Sequence, residues 1–336
     1  MEDTETFSLG NCVPRDGGTL PDAKIVFKTY GALDADRDNA ILFPTHYGGT
    51  HVNNEWLIGP GKALDTNRWF VIVPNMLGNG VSSSPSNVGP PHGGASFPHV
   101  TVYDNVALQH RLLTERFAIT HLPLVIGFSM GAQQSFQWAV SYPDMVERCI
   151  PICGSARTAP HNLVFLEGVT GALRSDPAWN KGLYTEQPTA GMRLMGRVWA
   201  GWGASQTFYR EHLYRQLGFT SLEEYIVREW EDGFTQGDAN DLLAMAWTWQ
   251  HADVGATPGL DGDFERALGR ITARTIVMPC VTDLYFPPED SAIEVKHIAG
   301  AELRTIPSTW GHQAGGGADP AAAAFIEAAI RESLAR

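Results

Sequence analysis

The chain has 336 residues, 43% hydrophobic and 18% charged, which suits one large core, or one core plus an inserted subdomain, and excludes a disordered polypeptide. Its formal net charge of -13 argues against nucleic acid as a partner, because an acidic surface repels phosphates. No stretch approaches the ~18 consecutive apolar residues of a membrane span, so no membrane partner is expected.

The first residues, MEDTETFSLG, are acidic and polar. They lack the basic start and apolar core of a secretory signal, and a cytoplasmic location is expected. AKIVFKTY (23–30) and AILFPT (40–45) read as strands, the second leading into Thr45-His46-Tyr47-Gly48-Gly49. WFVIVPN (69–75) is a further strand. The following GNGVSSS (78–84) resembles a phosphate loop only in its glycines; without a Lys-Ser/Thr ending it reads as a loop at the edge of a site. PSNVGPPHGGASFP (85–98) is too long for a simple turn. DNVALQHRLLTERF (104–117) has a helical pattern, with Asp104 placed to cap it.

LPLVIGF (122–128) is a strand that stops at Gly127-Phe128-Ser129-Met130-Gly131, and MGAQQSFQWAVSYPD (130–144) continues as a helix ending near Pro143. RCIPICG (148–154) is the next strand. Residues 156–268 then lack strand runs and are rich in aromatic residues. Trp179, Trp199, Trp202, Trp230, Trp247 and Trp249, six of the ten tryptophans, lie there. This stretch is expected to form a helical lid over the carboxyl edge of the sheet, inserted into a core made of residues 1–155 and 269–336. RTIVMPCV (274–281) and AELRTIP (301–307) are the last strands, and ADPAAAAFIEAAIRESLAR (318–336) is a closing helix. Most strands are continuous apolar runs, as in a parallel sheet covered on both faces by helices. Strands alternating with helices predict an α/β fold. Cys12, Cys149, Cys153 and Cys280 form no CxxC pair, so neither a zinc site nor a disulfide framework is expected.

Gly127-Phe128-Ser129-Met130-Gly131 fits G-x-S-x-G between a strand and a helix, the context in which a serine is held at the top of a sheet as a nucleophile. A serine alcohol needs a base, and in this arrangement an acid and then a histidine follow it in the chain. Asp283 lies just past one strand and His312 just past the last. His312 would take the serine proton, and Asp283 would fix the imidazole tautomer. Asp144, Glu289, Asp290 and His297 are the weaker alternatives. The expected oxyanion donors are the N–H of Met130 and that of Tyr47, with Gly48 as the fallback. His46 and His51 have no third ligand spaced to help them, so no metal is expected.

In combination, AKIVFKTYGALDADRDNAIL, LDTNRWFVIVPNMLGNGVSSSPSN, GFSMGAQQSFQWAVSYPD, ARTAPHNLVF, TDLYFPPED and WGHQAG resemble the homoserine O-acetyltransferase family of α/β-hydrolases. The resemblance covers most of the chain. It implies the α/β-hydrolase fold with an inserted helical lid, a Ser129/Asp283/His312 triad, an acyl-serine intermediate and a homodimer formed through lid helices. Two departures concern the substrate. The family's acidic residue directly after the catalytic histidine, which binds the homoserine amine, is Gln313 here. Its lid Tyr-Arg pair aligns with Ala200-Gly201, leaving Arg197 one turn away.

A site without those charged anchors is unsuited to a zwitterion such as homoserine. The expected pocket therefore comprises Gly48, Phe128, Arg197, Trp199, Trp202, Trp310 and Gln313. The expected activity is that of a serine hydrolase cleaving an ester, thioester or amide of a small metabolite, with no cofactor. The alternative is an O-acyltransferase using acyl-CoA and an acceptor other than homoserine.

Overall fold

A computed structural model describes residues 3–335. Eight strands form one sheet: β1 (Glu5–Cys12), β2 (Leu20–Tyr30), β3 (Ala40–Leu42), β4 (Phe70–Pro74), β5 (Leu124–Phe128), β6 (Arg148–Ile152), β7 (Arg274–Val277) and β8 (Glu302–Leu303). Their order is β1-β2-β4-β3-β5-β6-β7-β8. The β1–β2 and β2–β4 pairs are antiparallel, and every pair from β4 to β8 is parallel. The seven strands expected from apolar runs are all present. β1 was not anticipated, because in ETFSLGNC only Leu9 is buried and the edge strand carries no apolar run.

Side chains of the central strands divide by parity between the two faces of the sheet. Phe70 and Ile72 of β4 join one apolar cluster, while Val71 and Val73 join the other. In β5, Val125 faces Phe136 and Trp138 of helix α2 (Met130–Ser141), whereas Leu124 and Ile126 face the cluster that includes Ile326 and Ile330 of the closing helix Pro320–Ala335. Helix α1 (Val102–Arg111) begins two residues earlier than the sequence suggests. Thr101 is its cap: its hydroxyl accepts the Asp104 N–H at 3.1 Å, and the Asp104 carboxylate accepts the Thr101 N–H at 2.8 Å.

Between β6 and β7 the described chain contains no strand beyond an isolated bridge between Arg157 and Asp253; its helices include α3 (Pro160–Arg174), α4 (Thr189–Gly203) and Ala239–Gln250. A third apolar cluster joins Phe165, Trp199 and Trp249 from this insertion to Met130, Tyr285 and Phe286 of the sheet's carboxyl edge. No helix of the described residues is long and apolar enough to cross a membrane.

Glu294 closes the helix Pro288–Glu294 and is 2% exposed. Its Oε1 accepts the Ala156 N–H at 2.7 Å, which ties the segment after Asp283 to the point where the chain leaves β6 for the insertion. Its Oε2 is buried without a partner. Burial, with a smaller contribution from Asp290, pushes this carboxyl up to about 8. The unfolded chain ionises it near ~4.3, so the folded state holds the proton more tightly. The contribution of Glu294 to stability is therefore intact below the unfolded value and is lost as pH rises through about 8. Glu294→Gln keeps an acceptor for Ala156 and removes the charge. Its Tm is expected to match the parent at pH ~5 and exceed it at pH ~9. Thermal melts with parallel pH profiles for the two proteins would contradict this account.

Candidate active site

β5 runs into α2 through one strained residue. Ser129 has φ 57° and ψ -124°, a conformation that costs an L-residue about 1–3 kcal/mol. The flanking glycines follow from close approach. A Cβ on Gly127 would lie 2.0 Å from the Gly131 carbonyl oxygen, and one on Gly131 would lie 2.7 Å from that of Pro44. The Ser129 N–H donates to the Ile152 carbonyl at 2.9 Å, fixing the turn to β6. The side chain stands at the carboxyl edge of the sheet and is 3% exposed.

His312 and Asp283 meet it there. His312 Nε2 lies 2.9 Å from Ser129 Oγ, and its Nδ1 lies 2.8 Å from Asp283 Oδ2. The other oxygen of Asp283 accepts the N–H groups of Tyr285 (2.8 Å) and Phe286 (3.2 Å). The carboxylate side chain is fully inaccessible to solvent. Phe128 and Tyr285 hold the imidazole between them, each with a ring centroid 4.7 Å away. Thr282 Oγ1 accepts the Gly311 N–H at 3.0 Å, fixing the loop that presents His312. Such a chain can move a proton from the hydroxyl to the imidazole while the carboxylate stabilises the resulting positive charge. The alternatives Asp144, Glu289, Asp290 and His297 are not part of it.

Two backbone donors beside the site are free of acceptors among the described residues. Met130 is the first residue of α2, so its N–H has no partner within the helix, and the helix dipole favours negative charge beside it. Among the described residues, neither the Met130 nor the Tyr47 N–H has an acceptor. The Gly48 N–H, in contrast, donates to Met245 Sδ at 3.4 Å. That contact favours Tyr47 over Gly48 as the second donor. The Tyr47 hydroxyl donates to the Leu242 carbonyl at 2.9 Å, and its ring lies 4.7 Å from that of Trp199, so the insertion holds this loop. His46 packs edge-on against Phe128 at 5.0 Å, and its Nδ1 lies 3.2 Å from the Tyr47 carbonyl oxygen. Loss of solvation lowers its pKa to about 4, so it is neutral at pH 7 and makes no hydrogen bond to Ser129.

The residues 41–188 match the family model for the alpha/beta hydrolase fold. The chain is 40% identical to an ethyl acetate hydrolase of Pseudomonas veronii, over 98% of this chain and 95% of that one. It is 30% identical to a homoserine O-acetyltransferase of Leptospira biflexa, over 90% and 85% of the two chains. The crystal structure of an acetylester hydrolase from Corynebacterium glutamicum superposes with a TM-score of 0.96 at 38% identity, covering 99% of this chain and 96% of that one. The chain belongs to the α/β-hydrolase family.

Ser129 of this hydrolase opens on a cavity of about 1160 Å³ between the sheet edge and the insertion. Of the expected pocket residues, Gly48, Phe128, Trp199 and Gln313 line it, and Arg197, Trp202 and Trp310 do not. Helix geometry explains the first of these corrections. At 100° per residue, Arg197 lies about 200° around α4 from Trp199, and there it pairs with Glu223 and Glu231. Trp202 turns instead towards α3, with its ring 5.1 Å from Phe165 and 5.0 Å from His161. Trp310 is buried beneath the site against Phe208, at 5.3 Å. Gly201 is exposed on α4 and does not line the cavity either. Arg197→Ala is expected to leave kcat/KM for any substrate within about twofold. A tenfold rise in KM would restore Arg197 to the pocket.

Several lining residues carried no sequence signal of their own. Tyr285 and Trp249 complete an aromatic wall with Trp199. Gln313 Nε2 donates to the Tyr225 hydroxyl at 2.8 Å, so the residue after His312 is braced from the insertion. Glu229 and Trp230 reach the cavity from the π-helical turn Ile226–Glu231. The aromatic residues after Asp283 in TDLYFPPED were the nearest available hint, since a chain leaving a strand end at a site presents its next side chains to that site.

Proposed function

We propose that this hydrolase cleaves small acyl esters, acetyl esters among them, through an acyl intermediate on Ser129. The observation that carries the reading is the unbroken contact from Asp283 through His312 to Ser129, at 2.8 and 2.9 Å, on a strained turn facing a cavity. The names of the similar proteins, an ethyl acetate hydrolase and an acetylester hydrolase, support the ester as the bond broken.

In this mechanism Ser129 Oγ attacks the ester carbonyl as its proton passes to His312 Nε2. The carbonyl oxygen, now negative, is held by the N–H groups of Met130 and Tyr47; each such donor is typically worth about 10²–10³ in rate. Collapse expels the alcohol, which takes the proton from His312. A water molecule then gives a proton to His312 and attacks the acyl carbon, releasing the acid and restoring the serine. Residues 156–268 act as the lid that shapes the pocket. The reaction uses no cofactor, and the protein works in the cytoplasm.

The direct test is release of p-nitrophenol from p-nitrophenyl acetate without an acceptor alcohol, with a brief quench to trap one acetyl group on the peptide containing Ser129. Release of CoA from acetyl-CoA that depends on an added acceptor would favour the transferase instead. The protein is further proposed to be a homodimer joined through lid helices, whose Leu163, Val164, Leu194 and Val198 are exposed on α3 and α4. Sedimentation at the mass of a single chain across micromolar concentrations would rule the dimer out.

A further inference from the structure

Among the described residues, the cavity wall carries the carboxylates of Glu229, Asp238 and Asp241, and no lysine or arginine. Asp241 is held by Ser86, whose N–H and hydroxyl donate to it at 2.9 and 2.6 Å. Asp238 accepts from the Tyr184 hydroxyl at 2.7 Å and from Gln187 Nε2 at 2.6 Å. Asp238 also caps the helix at residues 239–250, accepting the N–H groups of Asn240 and Asp241 at 2.9 and 3.2 Å, so the helix dipole offsets part of its charge. Burial raises the Asp241 carboxyl to about 6, which leaves it ionised at pH 7, and none of the side-chain partners of either residue is a cation. Glu229 is exposed, lines the open side of the cavity, and has no hydrogen-bond or ion-pair partner among the described residues.

Arginines of the insertion are engaged by other acids: Arg193 reaches Glu231 at 3.2 Å and Asp232 at 2.8 Å, Arg197 pairs with Glu231 and Glu223, and Arg228, next to Glu229 in the chain, pairs with Glu224 at 3.0 Å. Residues 221–241, which form much of this wall, contain seven acids and one arginine. The two imidazoles add no positive field: His46 is neutral, and any charge on His312 faces the Asp283 carboxylate.

A cleft with charges of one sign set in low-dielectric walls concentrates its field. An anion entering it is repelled and loses its water without gaining a partner. A neutral ester meets neither penalty, and a cation is drawn in. From this distribution we infer that the cavity sorts esters by charge, admitting neutral and cationic ones and refusing those with a carboxylate or phosphate in either half. Acyl-CoA thioesters, with their phosphates, fall in the refused class. The inference rests on the esterase reading and names the substrate class of the same site.

The test compares kcat/KM for phenyl acetate, 4-acetoxybenzoate and (3-acetoxyphenyl)trimethylammonium, each divided by its own hydroxide-catalysed rate. At ~10 mM salt, where charges act over about 30 Å, the anion is expected to fall at least about tenfold below the neutral ester, with the cation equal to it or faster. At ~1 M salt the gap should close. Glu229→Gln should raise the anion's value by about threefold relative to phenyl acetate. An anionic ester cleaved at the neutral rate in low salt overturns the inference, and so does a gap indifferent to both salt and Glu229→Gln. Tryptophan fluorescence with phenylboronic and 4-carboxyphenylboronic acids repeats the comparison without turnover. A protein that cleaves none of the esters but binds the neutral boronate more tightly fails the esterase reading and keeps the charge preference.

Discussion

Ser129→Ala is expected to lower kcat for p-nitrophenyl acetate by on the order of 10⁶-fold while leaving Tm almost unchanged. Among the described residues, the Ser129 hydroxyl is the one hydroxyl hydrogen-bonded to His312. The turn itself is kept by backbone contacts: the Ser129 N–H still bonds to the Ile152 carbonyl, and Gly127 and Gly131 still allow the close crossing. What survives is binding plus the two N–H donors, which polarise the carbonyl for water without an acyl intermediate. Stopped-flow absorbance would show no burst of p-nitrophenol, and denaturation would report a folded protein. Turnover within tenfold of the parent would remove Ser129 from the chemistry and with it the acyl-serine mechanism.

Asp283→Asn is expected to lower kcat by about 10⁴-fold, and the hydrogen bonds around the carboxylate give the reason. One of its oxygens accepts two N–H groups, from Tyr285 and Phe286. In asparagine only the amide oxygen can fill that place, so the NH₂ must turn towards His312 Nδ1. Nδ1 then has to accept, the ring proton moves to Nε2, and Nε2 now presents an N–H to the Ser129 hydroxyl. The base is occupied by its own tautomer. The prediction separates tautomer from packing, since asparagine matches aspartate in shape and the side chain is fully buried. Raising the pH should recover part of the rate through hydroxide attack, whereas the parent shows no such steep rise. Because Ser129 and Asp283 act through one histidine, the double variant should be no slower than Ser129→Ala alone. A further loss in the double variant would mean that Asp283 acts by another route.

Much of the site could be read locally. The turn at Ser129 is a strand, a tight crossing and a helix within a dozen residues, and its two glycines are required by contacts of 2.0 and 2.7 Å that no other residue tolerates. Asp283 and His312 were legible because each follows a strand in a sheet whose carboxyl edge gathers such positions. The pocket was read less well for the same physical reason that the turn was read correctly. Composition marks the insertion as aromatic, yet packing against neighbouring helices decides which aromatic residue lines the cavity. Trp199 lines it, whereas Trp202, only about 60° away around α4, is covered by Phe165 and His161 of α3 and does not. Burial alone is no guide either, since Trp310 is as apolar as its position suggested and lies under the site instead of in it. The edge strand β1 escaped notice because one buried residue in eight leaves no periodic signal.

The sequence by itself determined the parallel core, the position of the reactive serine and the order of its two partners, because these depend on contacts between chain neighbours and on strand ends. The tertiary structure alone decided the character of the cavity. Its wall is assembled from the loop after β3, the turn at residues 226–231 and the helix at residues 239–250. The charge facing a substrate depends on which acids there lack a cationic neighbour, a property of packing across distances that no local pattern of residues encodes.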